Sequence, residues 1–325
     1  MQNRCSFFRG MLYTERSEEA AESMMIKYER PISHAARWAR GIARFSCGLF
    51  LVAVLAHRFG PLTTPHLVAI VIFAAGLAAL AVLLAVIGLV RLWQVAAVGG
   101  IASFAALVYA AIPLGIAGLG GYAYLTKPAI YDVSTDTVTP PDWIAPPAAD
   151  QGWLPRAKTV TPQDREAQIE AYPGLTGRRY DGALDRVFRG VKTVAANTGI
   201  VVVATEGEEN AEADLEDLVV KPETNAPADS EPDNVPVPMS RPSSIMADRP
   251  AGLRPSDILL QGEWRSPIAG FRFDVLIRLR EEAETTFVDL RVASRYGPHE
   301  LGLAAGFADQ FLHALDAELL GIAGD

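Results

Sequence analysis

The chain of 325 residues has few of the residue types on which most catalytic and metal-binding sites depend. Its two cysteines, Cys5 and Cys47, lie near the N-terminus, so residues 126–325 offer neither a disulfide nor thiolate chemistry. Those residues hold two histidines, His299 and His313, whose spacing does not suit a pair of zinc ligands. The sequence contains no phosphate-cradling loop and no nucleophile elbow. We therefore expect no metal and no cofactor, and an enzyme is the less favoured class.

Positive charge is also scarce in the C-terminal part of the chain. The formal net charge is −9, and residues 126–325 carry 19 Lys+Arg against 33 Asp+Glu. Most of that excess lies in residues 206–233, which contain 11 acids and a single base, Lys221. No basic face for a phosphate backbone remains, so we expect no nucleic-acid partner.

Long apolar runs are what the sequence has in abundance. Residues 67–90 and 95–125 contain no charged side chain, and a weaker run at residues 45–56 precedes them. About 20 apolar residues are enough for a helix to cross a bilayer. The pattern predicts a polar N-terminal tail over residues 1–40 and a transmembrane region over 41–125. Its three predicted helices cover approximately residues 41–60, 67–90 and 95–118.

Basic residues near the spans predict the orientation, because they accumulate on the cytoplasmic side. Five bases precede the first run: Lys27, Arg30, Arg37, Arg40 and Arg44. With a cytoplasmic N-terminus, Arg91 is also cytoplasmic, and Arg58 and Lys127 lie outside. Three spans in a bacterial inner membrane then place the C-terminal domain in the periplasm. If the first segment only lies on the membrane surface, two spans remain and the domain is cytoplasmic.

Residues 126–325 predict an α+β soluble domain, an antiparallel sheet of about four strands with helices packed on it. An extended Pro-rich segment over residues 128–155 comes first, followed by a helix that starts at Pro162 and stops before Pro173. A second helix is predicted from Asp181, and residues 200–204 predict a buried strand. One apolar stripe marks the second helix: Leu184, Val187, Phe188, Val191 and Val194.

The acidic, Pro-rich residues 206–255 lack core side chains and predict a disordered insertion. Three segments after the insertion alternate apolar and polar residues and predict three antiparallel strands. In the second of them, Phe273 points to the core and Asp274 away from it. A final helix is predicted over residues 301–320, with Phe307 and Phe311 on its buried side.

Charged residues alternate along the last two predicted strands and continue into a Gly-Pro turn. A hairpin pairing Arg280 with Thr285 would place Asp274 opposite Arg291 and Leu276 opposite Asp289, all on the face away from Phe273. The candidate binding residues are Asp274, Arg278, Asp289, Arg291, Ser294, Arg295 and Glu300. Arginines beside a helix start can bind an anion such as phosphate or carboxylate. The alternative is a salt-bridged face turned to solvent.

Three segments resemble a bacterial family known as domain of unknown function 1499. Residues 132–136, Asp-Val-Ser-Thr-Asp, are similar to the opening motif that follows the family's membrane or lipid anchor. Residues 271–278 resemble its Phe-x-Asp-Asp-x-x-x-Arg strand, and residues 288–302 resemble its Val-Asp-x-Arg-Ser-x-Ser-Arg-x-Gly-x-x-Asp-Leu-Gly block. The likeness covers most of residues 130–315 apart from the insertion. It implies a domain associated with the cell envelope and supplies no activity.

The chain departs from that family pattern at polar positions. The differing residues are Phe273 for Asp, Val292 for Ser, Glu300 for Asp and Ala304 for Asn. If those polar groups form a site, this chain has fewer of them. The sequence thus favours a non-catalytic, membrane-anchored periplasmic module that binds a protein or envelope component through residues 274–300. The rival is an enzyme acting on an anionic envelope substrate, with Asp289 or Glu300 as general base.

Overall fold

The computed structural model describes residues 33–95, 98–211, 257–282 and 285–320. Residues 1–32 of the predicted polar tail lie outside the described residues, as do residues 212–255 of the predicted disordered insertion. Cα packing divides the chain into two compact units. The first combines Met1–Leu49 with Phe73–Gly115, and the second combines Phe50–Ile72 with Ile116–Asp325.

Three long helices occupy the N-terminal part: α1 (His34–Phe59), α2 (Thr64–Val95) and α3 (Gly100–Thr126). Each is long and apolar enough to cross a membrane, which confirms the prediction of three apolar N-terminal helices. Helix α1 begins ahead of the predicted start at residue 41, and α3 continues without a break through Pro113. These helices support a multi-pass membrane protein.

Alanines form the contact between helices in the first unit. The fully buried ones are Ala39, Ala43, Ala78, Ala81, Ala85, Ala106 and Ala110. Small side chains let helix backbones approach closely, which favours association where lipid already surrounds the apolar surface. The larger apolar side chains of these helices, such as Phe73 and Leu83, point outward and are about 60% exposed.

The second unit contains one antiparallel sheet and three helices packed on it, so the predicted α+β class is confirmed. Its strands are β1 (Asp132–Ser134), β2 (Arg178–Asp181), β3 (Val201–Glu206), β4 (Ile258–Arg265), β5 (Arg272–Glu282) and β6 (Thr285–Ser294). Its helices are α4 (Pro162–Ala171), α5 (Leu184–Asn197) and α6 (Leu303–Leu319), with a 3-10 turn at Glu208–Ala211. The strand order is β1-β6-β5-β4-β3, and β2 also pairs with β6.

The main core lies between the sheet and helices α5 and α6. All five residues of the predicted α5 stripe are buried, as are Phe307 and Phe311 of α6. Trp264 of β4 stacks on Phe307 at 4.1 Å between ring centroids and lies 5.3 Å from Phe273. Aromatic pairs at these distances add packing energy beyond burial alone. The periodic apolar pattern therefore predicts this core correctly.

Three local predictions differ from the structure. Helix α5 begins at Leu184 rather than Asp181, because Asp181 is the last residue of β2 and pairs with Thr285. The strand after α5 is not buried, since Val201 and Val203 are 67% and 66% exposed. It forms the edge of the sheet beyond β4, where no further strand among the described residues covers it. Its continuous β-branched run reflects strand propensity rather than burial.

The β5–β6 register is the third difference. Thr285 pairs with Glu282, not with Arg280, which moves β6 by two residues along β5. Asp274 therefore lies opposite Ala293, and Arg278 lies opposite Asp289. A shift of two residues leaves each side chain on its predicted face, because side chains alternate with a period of two. The charged residues still share the face away from the main core.

Within the second unit, the ends of the long helices contact the soluble domain. Trp153 Nε1 donates a hydrogen bond of 3.1 Å to the carbonyl oxygen of Pro65, at the start of α2. The rings of Tyr124, near the end of α3, and His299 lie 5.0 Å apart. His299 Nε2 also donates to the carbonyl oxygen of Lys127 at 3.1 Å, and its Nδ1 accepts from the Leu301 amide. His299 is thus a structural contact between α3 and the turn before α6.

Candidate functional site

The charged face of the sheet is covered by the chain that enters the domain. We call residues 135–161, between β1 and α4, the connector. Gln261 on β4 exchanges two hydrogen bonds with the backbone of Ala145, of 3.0 and 2.7 Å. Gln151 and Arg156 of the connector donate to the carbonyl oxygens of Arg295 and Ser294, at 3.0 and 2.8 Å. The sheet is therefore buried on both faces along β5 and β6.

This arrangement contradicts the alternative of a charged face turned to solvent. Asp274 and Arg278 are 3% and 4% exposed, and Asp289 is fully buried. Charged groups are seldom buried without partners, because removing them from water is costly. Each of the three has an ion-pair partner, and the ion pairs on this face of the sheet form three clusters.

The first cluster centres on Asp289. Its Oδ2 accepts from Arg278 Nη2 at 2.7 Å and from Arg280 Nη2 at 3.1 Å. Arg278 Nη2 also donates to Asp136 of the connector at 2.8 Å, and Thr135 Oγ1 donates to Asp289 Oδ1 at 3.4 Å. Burial raises the pKa of the Asp289 carboxyl, while the hydrogen bond and charge of Arg278 oppose that shift. The cluster joins the connector to the middle of the β5–β6 hairpin.

The second cluster holds β1 in place. The carboxylate of Asp132 accepts from Arg291 Nε at 3.0 Å and from Arg165 Nη2 of α4 at 2.7 Å. Arg291 also donates to the carbonyl oxygen of Pro141 at 2.6 Å, and its guanidinium lies 5.0 Å from the ring centre of Trp143. A guanidinium over an indole face is attracted by the ring quadrupole. Arg291 thus binds β1 and the connector at once.

The third cluster lies at the end of β6. Arg295 pairs with Asp274 on β5 and with Glu263 on β4, the latter at 2.8 Å. Burial works against the charge of Arg295, but hydrogen bonds from it to Asp274 and Glu263 raise its pKa well above the usual range. Ser294, the preceding residue, donates its hydroxyl hydrogen to the carbonyl oxygen of Tyr296 at 2.8 Å. That bond engages the Ser294 hydroxyl within the turn.

Glu300 lies apart from the three clusters, at the start of α6. Its carboxylate accepts from the Ala304 amide and from the Tyr172 hydroxyl, each at 2.8 Å. An acid that accepts from first-turn amides satisfies groups that the helix leaves unpaired and complements its positive end. Burial and the Glu300 carboxylate both raise the pKa of Tyr172. Glu300 therefore acts as a helix cap that ties α4 to α6.

The structure therefore places the seven predicted residues near each other but engages them in separate internal contacts. Sequence reasoning missed five ion-pair partners as site residues: Asp132, Asp136, Arg165, Glu263 and Arg280. The first two stand in the opening motif, which was the available signal. Among the described residues, no group of three or more His, Cys, Asp or Glu side chains is placed to hold a metal ion.

Acid should weaken these contacts in the full-length protein. Glu263 has a lowered pKa because of its hydrogen bond from Arg295, and hydrogen bonds from Thr139 and Arg278 outweigh burial to lower that of Asp136. A carboxyl with a lowered folded pKa stabilises the fold above its unfolded pKa, and that contribution disappears as pH falls through the folded value. The ordinary pKa values of Glu263 and Asp136 are 4.5 and 3.8. The thermal unfolding midpoint of the protein should therefore decrease once the pH is below about 4.

The measurement is thermal unfolding in detergent across that pH window. Glu263→Gln removes one of the two groups and should flatten the pH dependence below about pH 4. An unchanged slope in this variant would contradict the assignment to Glu263.

One known protein family matches the C-terminal domain of the chain. A family model described as "Protein of unknown function (DUF1499)" matches residues 132–315. The match begins at β1 and ends within α6, so it covers the sheet, the connector and all three ion-pair clusters. No curated protein and no solved structure matches the chain significantly. With more than half of its length matched, the chain belongs to the family of proteins of unknown function DUF1499.

Proposed function

We propose that this protein is a membrane-anchored, non-catalytic module whose soluble domain binds a protein or envelope component on the periplasmic side. The observation that carries the proposal is the internal pairing of the candidate residues: each charged member contacts an opposite charge or a helix terminus within the fold. Such pairing gives residues 274–300 a fixed shape. A fixed surface on a rigid scaffold suits recognition of a partner.

The rival is an enzyme that acts on an anionic envelope substrate with Asp289 or Glu300 as general base. The raised pKa of Asp289 favours this reading, because catalytic bases often have perturbed pKa values. A general base must come within about 3 Å of the proton it removes. Asp289 is fully buried under the connector and Glu300 is 1% exposed, so neither carboxylate reaches solvent. These contacts favour the binding module over the enzyme.

The turn between β6 and α6 is a part of residues 274–300 that a partner can reach. Pro298 is exposed, while Gly297 and His299 on either side are buried. Gly297 has a φ of +78°, which favours glycine, and its Cα lies close to the side chain of Leu154 in the connector. The turn is therefore fixed in place. Arg295 supports the same turn from beneath through Asp274.

The orientation can be tested with two C-terminal reporter fusions on the full-length chain. The basic residues before α1 and in its first three turns favour a cytoplasmic N-terminus, and three spans then carry the C-terminus across the membrane. We expect an alkaline-phosphatase fusion to be active and a green fluorescent protein fusion to be dark. An inactive phosphatase fusion together with a fluorescent one would overturn the periplasmic placement.

Partner binding can be tested by placing a photo-crosslinking amino acid at Pro298 in intact cells. We expect a discrete cross-linked product at that position and none from the matched position Arg189, an exposed residue of α5 on the helix layer. Arg295→Ala should remove the product while the protein remains in the membrane fraction. Equal cross-linking at both positions, or no effect of Arg295→Ala, would contradict a binding role for residues 274–300.

A further inference from the structure

The first three turns of α1 carry a group of basic residues and one tryptophan. His34, Arg37, Trp38, Arg40 and Arg44 line a pocket of about 370 Å³ in the first unit. We call these residues the α1 cluster. Residues 33–131 contain no Asp or Glu at all. Among the residues that the structure describes, none of the three arginines forms an ion pair.

The shape of this surface is set by which face of α1 is packed. Ala36, Ala39 and Ala43 are at most 1% exposed and form the face that meets the other helices. Arg37, Arg44 and the indole of Trp38 lie on the opposite, exposed face. Gly41 stands between them, and a side chain at that position would meet no atom within 4 Å. A glycine between large side chains leaves a notch in the outer surface of the helix.

Aromatic side chains share this face with the arginines. Trp38, between Arg37 and Arg40, is 68% exposed, and Phe45, next to Arg44, is 62% exposed. Arg37 and Arg44 are seven residues apart, which is roughly 10 Å along a helix axis. The exposed face of the α1 cluster therefore combines positive charge with large apolar rings. An indole is typical of a membrane interface, where its ring is partly wet and partly in lipid.

We infer that the α1 cluster is a binding site for the phosphate headgroup of an anionic phospholipid, with an acyl chain lying against Phe45. The surroundings favour this ligand, because α1 is long and apolar enough to span a membrane, and basic residues at the end of such a helix lie beside lipid headgroups. Arginine suits the site, since its planar fork donates two hydrogen bonds to one phosphate. The inference does not depend on the function proposed for the soluble domain.

The test uses full-length protein in detergent and counts bound lipids by native mass spectrometry. Phosphatidylglycerol and phosphatidylcholine of equal chain length are supplied in competition. Each basic residue near an anionic lipid surface contributes about 1 kcal/mol, which corresponds to roughly a fivefold change in affinity. We expect phosphatidylglycerol to be preferred and Arg44→Gln to reduce that preference about fivefold.

Arg91→Gln is the matched control, because Arg91 at the end of α2 is exposed but does not line the pocket. It should leave the preference unchanged, and Arg44→Lys should keep part of it. Unfolding midpoints without lipid show whether each variant is folded, and a folded Arg44→Gln with wild-type preference overturns the site. Displacement of phosphatidylglycerol by an equal concentration of inorganic phosphate would show that the ligand is phosphate itself. Equal retention of both lipids would overturn the inference as well.

Discussion

Arg278→Ala should lower the free energy of unfolding by about 3–5 kcal/mol, because it removes one partner of a buried ion pair. The change leaves Asp289 fully buried with Arg280 as its remaining guanidinium, and it releases Asp136 of the connector. A loss of this size is a large part of the stability of an ordinary domain. Denaturant unfolding of the full-length protein in detergent, followed by tryptophan fluorescence, measures it.

The matched control is Arg179→Ala on β2. Arg179 pairs with Glu282 at 3.0 Å, but its side chain is 61% exposed, so the loss should stay within about 1 kcal/mol. Arg278→Lys keeps the charge but cannot reach both carboxylates as a guanidinium does, and its effect should be intermediate. Similar losses in Arg278→Ala and Arg179→Ala would mean that the Asp289 cluster contributes little to folding.

Phe273→Asp should be still more damaging, although it restores the residue that the family resemblance has at this position. Phe273 is 2% exposed and packs beside Trp264, which in turn stacks on Phe307 of α6. A carboxylate there would lose its water without any charged partner, a cost far above that of a cavity. We expect little protein in the membrane fraction and rapid proteolysis of what remains.

Two further variants separate charge from size at Phe273. Phe273→Ala creates a cavity and should cost about 3–5 kcal/mol, and Phe273→Leu should cost less than Phe273→Ala because it keeps most of the volume. The expected order of stability is wild type, Leu, Ala and Asp, measured by denaturant unfolding or by limited proteolysis. A stable Phe273→Asp protein would show that a polar partner can reach this point from the helix layer.

The regular elements follow from local patterns that the sequence displays. The stripe of α5, the alternation along β5 and the three apolar runs each depend on periodicity within one element, so each could be predicted. Strands β1 and β2 could not, because they have three and four residues and gain stability from pairing with β6 rather than from their own composition. The exposure of β3 could not be predicted either, since it depends on where the sheet ends.

Four candidate residues were predicted to share a face, and they do, but the pattern could not predict what covers that face; they are Asp274, Arg278, Asp289 and Arg291. Charged residues at alternate strand positions are typical of a solvent-facing surface. Here the opposite charges come from Asp132 and Asp136, which are about 140 to 160 residues away in sequence from Arg278 and Arg291. Only the fold brings that segment across the sheet. The family resemblance in both segments was the sequence signal that they belong together.

The pairing of β1 with β6 has a consequence for the order of events during synthesis. β1 follows the last long helix directly, yet Val133 finds its partner Val292 only near the other end of the chain. Contacts of such sequence separation form late, because a long loop must close before they are gained. The domain therefore cannot complete its sheet until β6 has left the ribosome. The three long helices have been made by then, so the final pairing of the sheet follows the synthesis of all three.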